Sequence, residues 1–436
     1  MRIERKYYLD KLISHRENGR IKVITGIRRC GKSMLLFDIF YDYLRKSGIA
    51  EEQIIAIRLD ELANTRYRNP MELDKYVRGI ITDSHKQYYV LIDEIQEVKS
   101  IRNPWLDDKE EKIGFVDVLI GLLNIKNADI YITGSNSRML STDIMTEFRD
   151  RGDEIHVNPL TFKEYYDAYE DDKRNAWQDF ITYGGLPKVM SEKTYEDKSR
   201  YLQDLINRTY LADVIERNKI KNDIGILGDL LNIVASNVGS LTNPTKLEHT
   251  FQSVKKIKIN DATINAYLNY FSDAFLIRKA YQYDVKGKKY INTPTKYYFT
   301  DIGLRNAQLN FRQQEESHIM ENVIYNELSA RGFNVDVGIV PVFYKDQEGK
   351  TKRSKLEIDF VVNKINKRCY IQSALAIPDE EKRLQETNSL RRINDSYKKI
   401  VVVRDNIIPW YDETGIFYIG VEEFVLKYID ELADII

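Results

Sequence analysis

Only two cysteines, Cys30 and Cys369, occur in 436 residues, which supports neither a disulfide scaffold nor a cysteine zinc site. An excess of one charge is also missing. Lys and Arg number 66 against 67 Asp and Glu, for a net charge of −1. No overall field therefore draws the chain to nucleic acid or membrane, and any such binding has to come from a local patch. No apolar run reaches the roughly 20 residues that span a bilayer. The start Met1-Arg2-Ile3-Glu4-Arg5-Lys6 lacks the apolar core of a signal peptide, so a cytoplasmic location is expected. Fixed-period repeats and low-complexity tracts are absent, which argues against solenoids and disordered arms. What is present is ordinary for a multidomain protein: the length suggests two to four domains, and 43% hydrophobic residues are ample for their cores. The 30 tyrosines are scattered through every segment and read as compositional bias, not as a stacking surface.

The most informative stretch is Gly26-Ile27-Arg28-Arg29-Cys30-Gly31-Lys32-Ser33, which fits G-x-x-x-x-G-K-[ST]. Its context is that of strand, loop and helix: the apolar run from Ile21 to Thr25 precedes it, and Met34-Leu35-Leu36-Phe37 continues it with helical spacing. Glycines let the backbone wrap around phosphate oxygens, so that successive N–H groups and the positive end of the helix face the anion. Gly26 through Met34 are therefore the expected nucleotide contacts, with Lys32 reaching the β- and γ-phosphates and Ser33 ligating Mg²⁺. Cys30 reads as a spacer within the loop, the alternative being an oxidation-sensitive thiol.

A second element, Tyr88-Tyr89-Val90-Leu91-Ile92-Asp93-Glu94, is an apolar strand ending in two carboxylates, the Walker B pattern. Asp93 is expected to hold Mg²⁺ through water and Glu94 to orient and polarise the attacking water. A third strand, Asp129 to Thr133, runs into Gly134-Ser135-Asn136, where Asn136 or Ser135 is the candidate sensor of the γ-phosphate. Ile54 to Leu59 and Asp153 to Val157 supply further strands, the former expected as the extra strand between the Walker A and Walker B strands. Strands alternating with helical stretches imply an α/β fold with a parallel sheet and ligands beyond the strands' carboxyl ends. Arg149 and Arg151 are candidates for an arginine finger, which often comes from a neighbouring subunit, and Arg28 and Arg29 for phosphate contacts in cis. No guanine-selective Asn-Lys-x-Asp pattern occurs, and the expected ligands are ATP and Mg²⁺.

After the sheet, Pro159-Leu160-Thr161-Phe162 opens helical stretches reaching through Trp177 to Tyr183 and from about Tyr201 to Glu216, which read as a helical lid over the phosphates. The phosphate loop with its paired arginines, Asp93-Glu94, Thr133-Gly134-Ser135-Asn136, Pro159 to Phe162, Gly184-Gly185-Leu186-Pro187, Asp213 to Arg217 and Tyr298 to Leu304 occur in one order. Taken together they resemble the prokaryotic AAA-type ATPase family with a C-terminal domain of unknown function, over essentially the full chain. The resemblance implies ATP binding and hydrolysis and leaves the cellular role open.

The expected domains are a P-loop ATPase core at 1–160, a helical lid at 161–220, a winged-helix-like module at 221–310 and a restriction-endonuclease-like domain at 311–436. In the third, helices near 226–237, 245–254 and 261–272 precede two strands, with Lys255, Lys256 and Lys258 ahead of the last helix and Lys286, Lys288 and Lys289 at the hairpin tip. That distribution suits contact with duplex phosphates; the alternatives are solvated turns or a protein-contact module. In the fourth, the resemblance aligns Asp359 with a nuclease strand's Asp, but Gln372 and Ala374 stand where Glu and Lys are needed, which robs a hard cation of much of its cage. Glu321 or Glu357 with Asp359 is left as a weak metal site, and the scaffold is expected to be inactive as a nuclease. Three functions compete: an ATP-hydrolysing switch or motor, an ATP-dependent nuclease or defence effector, and a nucleotide-sensing scaffold without turnover.

Overall fold

The computed structural model describes residues 3–106, 111–134, 148, 151–220, 224–312, 315–345 and 350–435. The chain divides into two compact units, residues 1–159 with 273–275, and residues 160–272 with 276–436.

The first unit is built on five parallel strands, β1 (Ile21–Thr25), β2 (Ile54–Arg58), β3 (Tyr88–Asp93), β4 (Ala128–Thr133) and β5 (Gly152–His156), in the order β2-β3-β4-β1-β5. β1 and β3 are buried along their whole length, as strands covered on both faces must be, which is why they read as unbroken apolar runs. Helices α1 (Lys6–Ser14), α2 (32–46), α3 (Pro70–Ile80) and α4 (Phe115–Leu123) accompany the sheet. Leu73 and Val77 of α3 and Val118, Leu119 and Leu122 of α4 pack with Ile55, Val90 and Ile130 in one core. Asn69 caps α3 by accepting from Met71 N at 3.0 Å, with Pro70 at the first helical position. One expectation is corrected: the strand inserted between the phosphate-loop strand and the Asp-Glu strand is β4, whereas β2 lies at the sheet's edge beyond β3. Chain order and spatial order differ here because parallel strands are joined by crossovers, which the sequence does not count.

The second unit opens with helices α5 (Phe162–Ala168), α6 (Ala176–Tyr183), α7 (195–217), α8 (Ile224–Ser236), α9 (244–255) and α10 (Asp261–Asp273). An eight-stranded sheet follows. Its strands are β6 (Ile277–Asp284), β7 (Lys289–Phe299), β8 (Asn334–Lys345), β9 (Thr351–Lys364), β10 (Lys367–Ala374), β11 (Lys398–Val403), β12 (Trp410–Tyr411) and β13 (Phe417–Gly420), in the order β12-β13-β11-β10-β9-β8-β6-β7. Helices α11 (Ile302–Gln308), α12 (Glu316–Ala330), α13 (Glu380–Arg391) and α14 (421–435) complete it. The β6–β7 hairpin is therefore not a free-standing wing: β6 pairs in parallel with β8, Val337 opposite Gln282 and Ile339 opposite Asp284. Buried Asp301 ties the end of α6 to the start of α11, accepting from Gly185 N at 2.7 Å and Leu304 N at 3.1 Å. A Cβ on Gly303 would stand 2.0 Å from the Tyr183 carbonyl oxygen, so only glycine admits this approach.

Candidate nucleotide-binding site

The carboxyl ends of the five parallel strands lie along one edge. Ile24 is level with Thr133, Thr25 with His156 and Arg58 with Asp93. The phosphate loop leaves β1 at this edge, and the Asp93-Glu94 pair leaves β3 two strands away, about 10 Å at ordinary strand spacing. This is the crevice in which open parallel sheets bind ligands.

Within the loop, Gly26 has φ +136°, and a Cβ there would fall 2.2 Å from the Val157 carbonyl oxygen. Lys32 is buried at the start of α2, its Nζ donating to the carbonyls of Gly26 at 2.9 Å and Ile27 at 3.2 Å. Ile27 and Cys30 are fully buried, Arg28 and Ser33 half-buried, and Arg29 and Met34 exposed. Cys30 donates its Sγ–H to the Val157 carbonyl at 3.3 Å, a spacer's role and not that of an exposed thiol. A brace unforeseen in the sequence holds the loop from behind. Arg5, 4% exposed, donates to the carbonyls of Cys30 at 3.0 Å and Asn158 at 2.6 Å, and the Tyr8 hydroxyl accepts from Asn158 N at 3.0 Å.

Across the crevice Asp93 is buried, its Oδ1 accepting a short hydrogen bond from the Thr133 hydroxyl. The same hydroxyl oxygen accepts from Glu94 N at 3.3 Å. Glu94 sits in the left-handed region at φ 53°, a conformation that costs a non-glycine residue about 1–3 kcal/mol and concentrates at functional sites. Its Oε2 accepts from Gln96 Nε2. Thr133 thus fixes both acids, yet sequence reasoning looked two and three residues further on. Ser135, Asn136 and Arg149 lie outside the described residues. Arg151 is exposed at the start of β5, where its carbonyl accepts from Ile21 N at 2.8 Å. That is the opposite end of β1 from the loop, about 13 Å away by strand rise, so within its own subunit Arg151 does not border this crevice.

The donor set suits a magnesium nucleotide: a backbone cradle that a Cβ would fill, a buried ammonium, and hard oxygens on Ser33 and Asp93. In the second unit the acids singled out from sequence do come together, but around a cation of the chain's own. Lys296 of β7, 2% exposed, lies 2.7 Å from Glu321 Oε1, 2.7 Å from Glu357 Oε1 and 3.6 Å from Asp359 Oδ1. Tyr298 donates to Glu321 at 2.6 Å and Ser373 N to Asp359 Oδ2 at 2.8 Å. Burial and the neighbouring Glu321 charge push the Asp359 carboxyl up to about 7, against the pull of Lys296. Burial lowers the Lys296 ammonium's proton affinity, but the three carboxylates outweigh it and hold the group charged. These residues do not fit a divalent metal, because the carboxylates are already committed to the ammonium. Among the described residues no group of three or more His, Cys, Asp or Glu is arranged to hold a metal ion.

The lysines expected to face DNA are exposed. Lys255 pairs with Asp229 at 2.7 Å, and Lys286 donates to the Pro341 carbonyl at 3.3 Å. Lys256 ends α9 with φ 56°, and Lys258, Lys288 and Lys289 complete the set. No helix among the described residues is long and apolar enough to cross a membrane.

Residues 18–166 match the family model described as an AAA domain, and residues 174–315 and 316–424 match two domains of unknown function, DUF8612 and DUF4143. An uncharacterized protein of Haemophilus influenzae is 33% identical over 434 residues, covering 98% of this chain and 99% of the relative. Another, from Methanocaldococcus jannaschii, is 30% identical over 431 residues, covering 93% and 85%. Among solved structures, Cdc6p from Pyrobaculum aerophilum aligns with a TM-score of 0.29 at 12% identity, over 74% of this chain and 95% of that one. AMPPCP-bound DnaA from Aquifex aeolicus aligns with a TM-score of 0.30 at 14% identity, over 62% and 88%. Scores this low carry no weight for mechanism. Family membership rests instead on the full-length identity: the chain belongs to the family of the Haemophilus and Methanocaldococcus proteins, and its residues 18–166 are an AAA-type P-loop ATPase domain.

Proposed function

We propose that this protein is an ATP-hydrolysing switch, with an ATPase core at 1–160, a lid at 161–220, a winged-helix-like module at 221–310 and an endonuclease-like scaffold without nuclease activity at 311–436. The observation that carries the reading is the shared edge: Thr25, Asp93 and Thr133 end three strands side by side, with buried Lys32 at the head of the helix after β1. Backbone N–H groups of residues 26–34 hold the phosphates and the Lys32 ammonium meets the β- and γ-oxygens. Ser33 and Asp93 hold Mg²⁺, which when bound neutralises charge on the phosphates. Glu94, kept in one orientation by Gln96 and Thr133, orients the attacking water and accepts its proton. Asn136 is the sensor of the γ-phosphate. Arg151, at the far end of the strand, acts only on a neighbouring copy, so full activity needs an oligomer. The exposed lysines of α9 and the β6–β7 turn contact nucleic acid, with a protein partner as the alternative. The rival reading as an ATP-dependent nuclease loses support because Lys296 already occupies its acids.

Calorimetry and a phosphate-release assay test the reading. Lys32→Ala is expected to abolish nucleotide binding. Glu94→Gln is expected to keep binding and lose turnover by about 10²–10⁴-fold, the range for a positioned base. Normal turnover in Glu94→Gln would remove its assigned role, and hydrolysis absent from the unaltered protein as well would leave a nucleotide-sensing scaffold.

A further inference from the structure

Strands β8 and β9 run on together beyond the end of β6. β6 is paired with β8 only as far as Asp284 opposite Ile339, while β8 and β9 continue from Val340 opposite Leu356 to Lys345 opposite Thr351. The extension is a two-stranded arm, a form marginal in water by itself. It nevertheless exposes Phe343 by 67% and Tyr344 by 52%. Residues 341–355 carry Lys345, Lys350, Lys352, Arg353 and Lys355 against Asp346 and Glu348, in a chain whose net charge is −1. Opposite residues share a face and successive ones alternate. Phe343 stands opposite Arg353 and Tyr344 opposite Lys352, so each face of the arm presents a ring beside a cation. The Arg353 guanidinium lies 6.0 Å from the Phe343 centroid.

The β6–β7 turn abuts the base of this arm. Val285 N donates to the Ile339 carbonyl at 3.0 Å and Lys286 Nζ to that of Pro341 at 3.3 Å, and Pro341 is opposite Lys355. Lys286, Lys288 and Lys289, remote in sequence, thereby adjoin the arm's cations. Asp284, the acid nearest them in sequence, is buried and accepts from Gly287 N at 2.8 Å.

We propose that the arm and the adjoining turn bind single-stranded nucleic acid, the cations following the phosphates and Phe343 and Tyr344 stacking on unpaired bases. Phosphates alone would account for the lysines but leave the two adjacent exposed rings unused, whereas every unpaired base offers a face on which they can stack whatever its identity. A duplex hides its base faces, and an acidic peptide supplies charge without rings to match. The proposal deepens the nucleic-acid contact assigned to the hairpin lysines and does not depend on ATP turnover.

Fluorescence anisotropy of the full chain with labelled oligothymidine of about 20 nucleotides, longer than one stacking module covers, tests it. Phe343→Ala with Tyr344→Ala is expected to lower affinity about tenfold or more. Lys352→Glu with Arg353→Glu is expected to lower it too, and to flatten the dependence of log affinity on log salt by about 0.7 for each phosphate left without its cation. Unchanged melting and unchanged ATP binding establish that both variants are folded. The proposal falls if the aromatic pair can be removed without effect, if a duplex of equal length binds as tightly with no dependence on the rings, or if polyglutamate displaces the oligonucleotide at equal charge. Should Lys286→Glu, Lys288→Glu and Lys289→Glu together abolish binding while the aromatic variant binds normally, the hairpin contact stands and the arm's role fails.

Discussion

Two side chains carry more of this molecule than their sequence context suggests. Thr133 is completely buried at the end of β4, with its hydroxyl between Asp93 and the Glu94 backbone. Thr133→Val keeps the shape and removes both bonds. It should cost about 1–3 kcal/mol in a denaturant titration, as for a hydrogen bond to a charged group, and reduce turnover more than nucleotide affinity. Wild-type turnover in that variant would deny it a positioning role. Lys296→Met leaves buried carboxylates without their counter-ion, a change worth about 3–5 kcal/mol; Lys296→Arg should recover part of this, and a titration with Mg²⁺ should show no binding at the cluster in the unaltered protein. Legibility at this scale follows sequence distance. The phosphate loop was readable because eight consecutive residues make it. The Arg5 brace bridges 25 and 153 residues and Lys296 reaches 25 residues to Glu321 and further to Glu357 and Asp359, so neither leaves a local pattern.

At the scale of elements, Asp301 joins the end of α6 to the start of α11 through bonds to backbone N–H groups. Burial pushes its carboxyl up to about 6 from 3.8, against the N–H groups of Gly185, Leu304 and Gly303. A carboxyl raised on folding favours the folded state while protonated, fully below the unfolded value, and this contribution disappears as pH rises through the folded value. The stability advantage of the unaltered protein over Asp301→Asn should therefore be greater near pH 4 than near pH 7, by on the order of 2 kcal/mol. Urea titrations at the two pH values measure it, and a constant difference would exclude the titration. The motifs that carried the family resemblance, Pro159 to Phe162, Gly184 to Pro187 and Tyr298 to Leu304, include the residues of this junction. Leu160 N donates to the Gly185 carbonyl at 2.8 Å, which gives those patterns a structural cause. The strands of the first unit were legible as apolar runs, because parallel strands buried on both faces show no alternation. That β6 belongs to the C-terminal sheet was not, since its pairing with β8 spans some fifty residues and both orders, wing or sheet edge, present the same pattern of strand and turn.

For the whole molecule, both thiols serve as reporters. Cys30 and Cys369 are fully buried, one in each unit, and burial pushes the Cys369 thiol up to about 12. Neither should react with a thiol reagent except through opening of its unit. Titration with an aromatic disulfide should therefore find two silent thiols in the native protein and two reactive ones in denaturant, with nucleotide slowing Cys30 selectively. Rapid reaction of Cys30 in the native state would contradict the packing of the loop against Val157. The sequence by itself determined the class of the first unit, its strand set and its phosphate loop, because helix spacing, apolar runs and glycine placement are local consequences of backbone geometry. Only the tertiary structure decided that β4 lies between the loop and the acids, that Arg151 is at the wrong end of its strand for its own crevice, and that Lys296 fills the cluster at Asp359. Each of these depends on which strands lie side by side, and that order is selected by the burial of whole faces, a property no short stretch of chain contains.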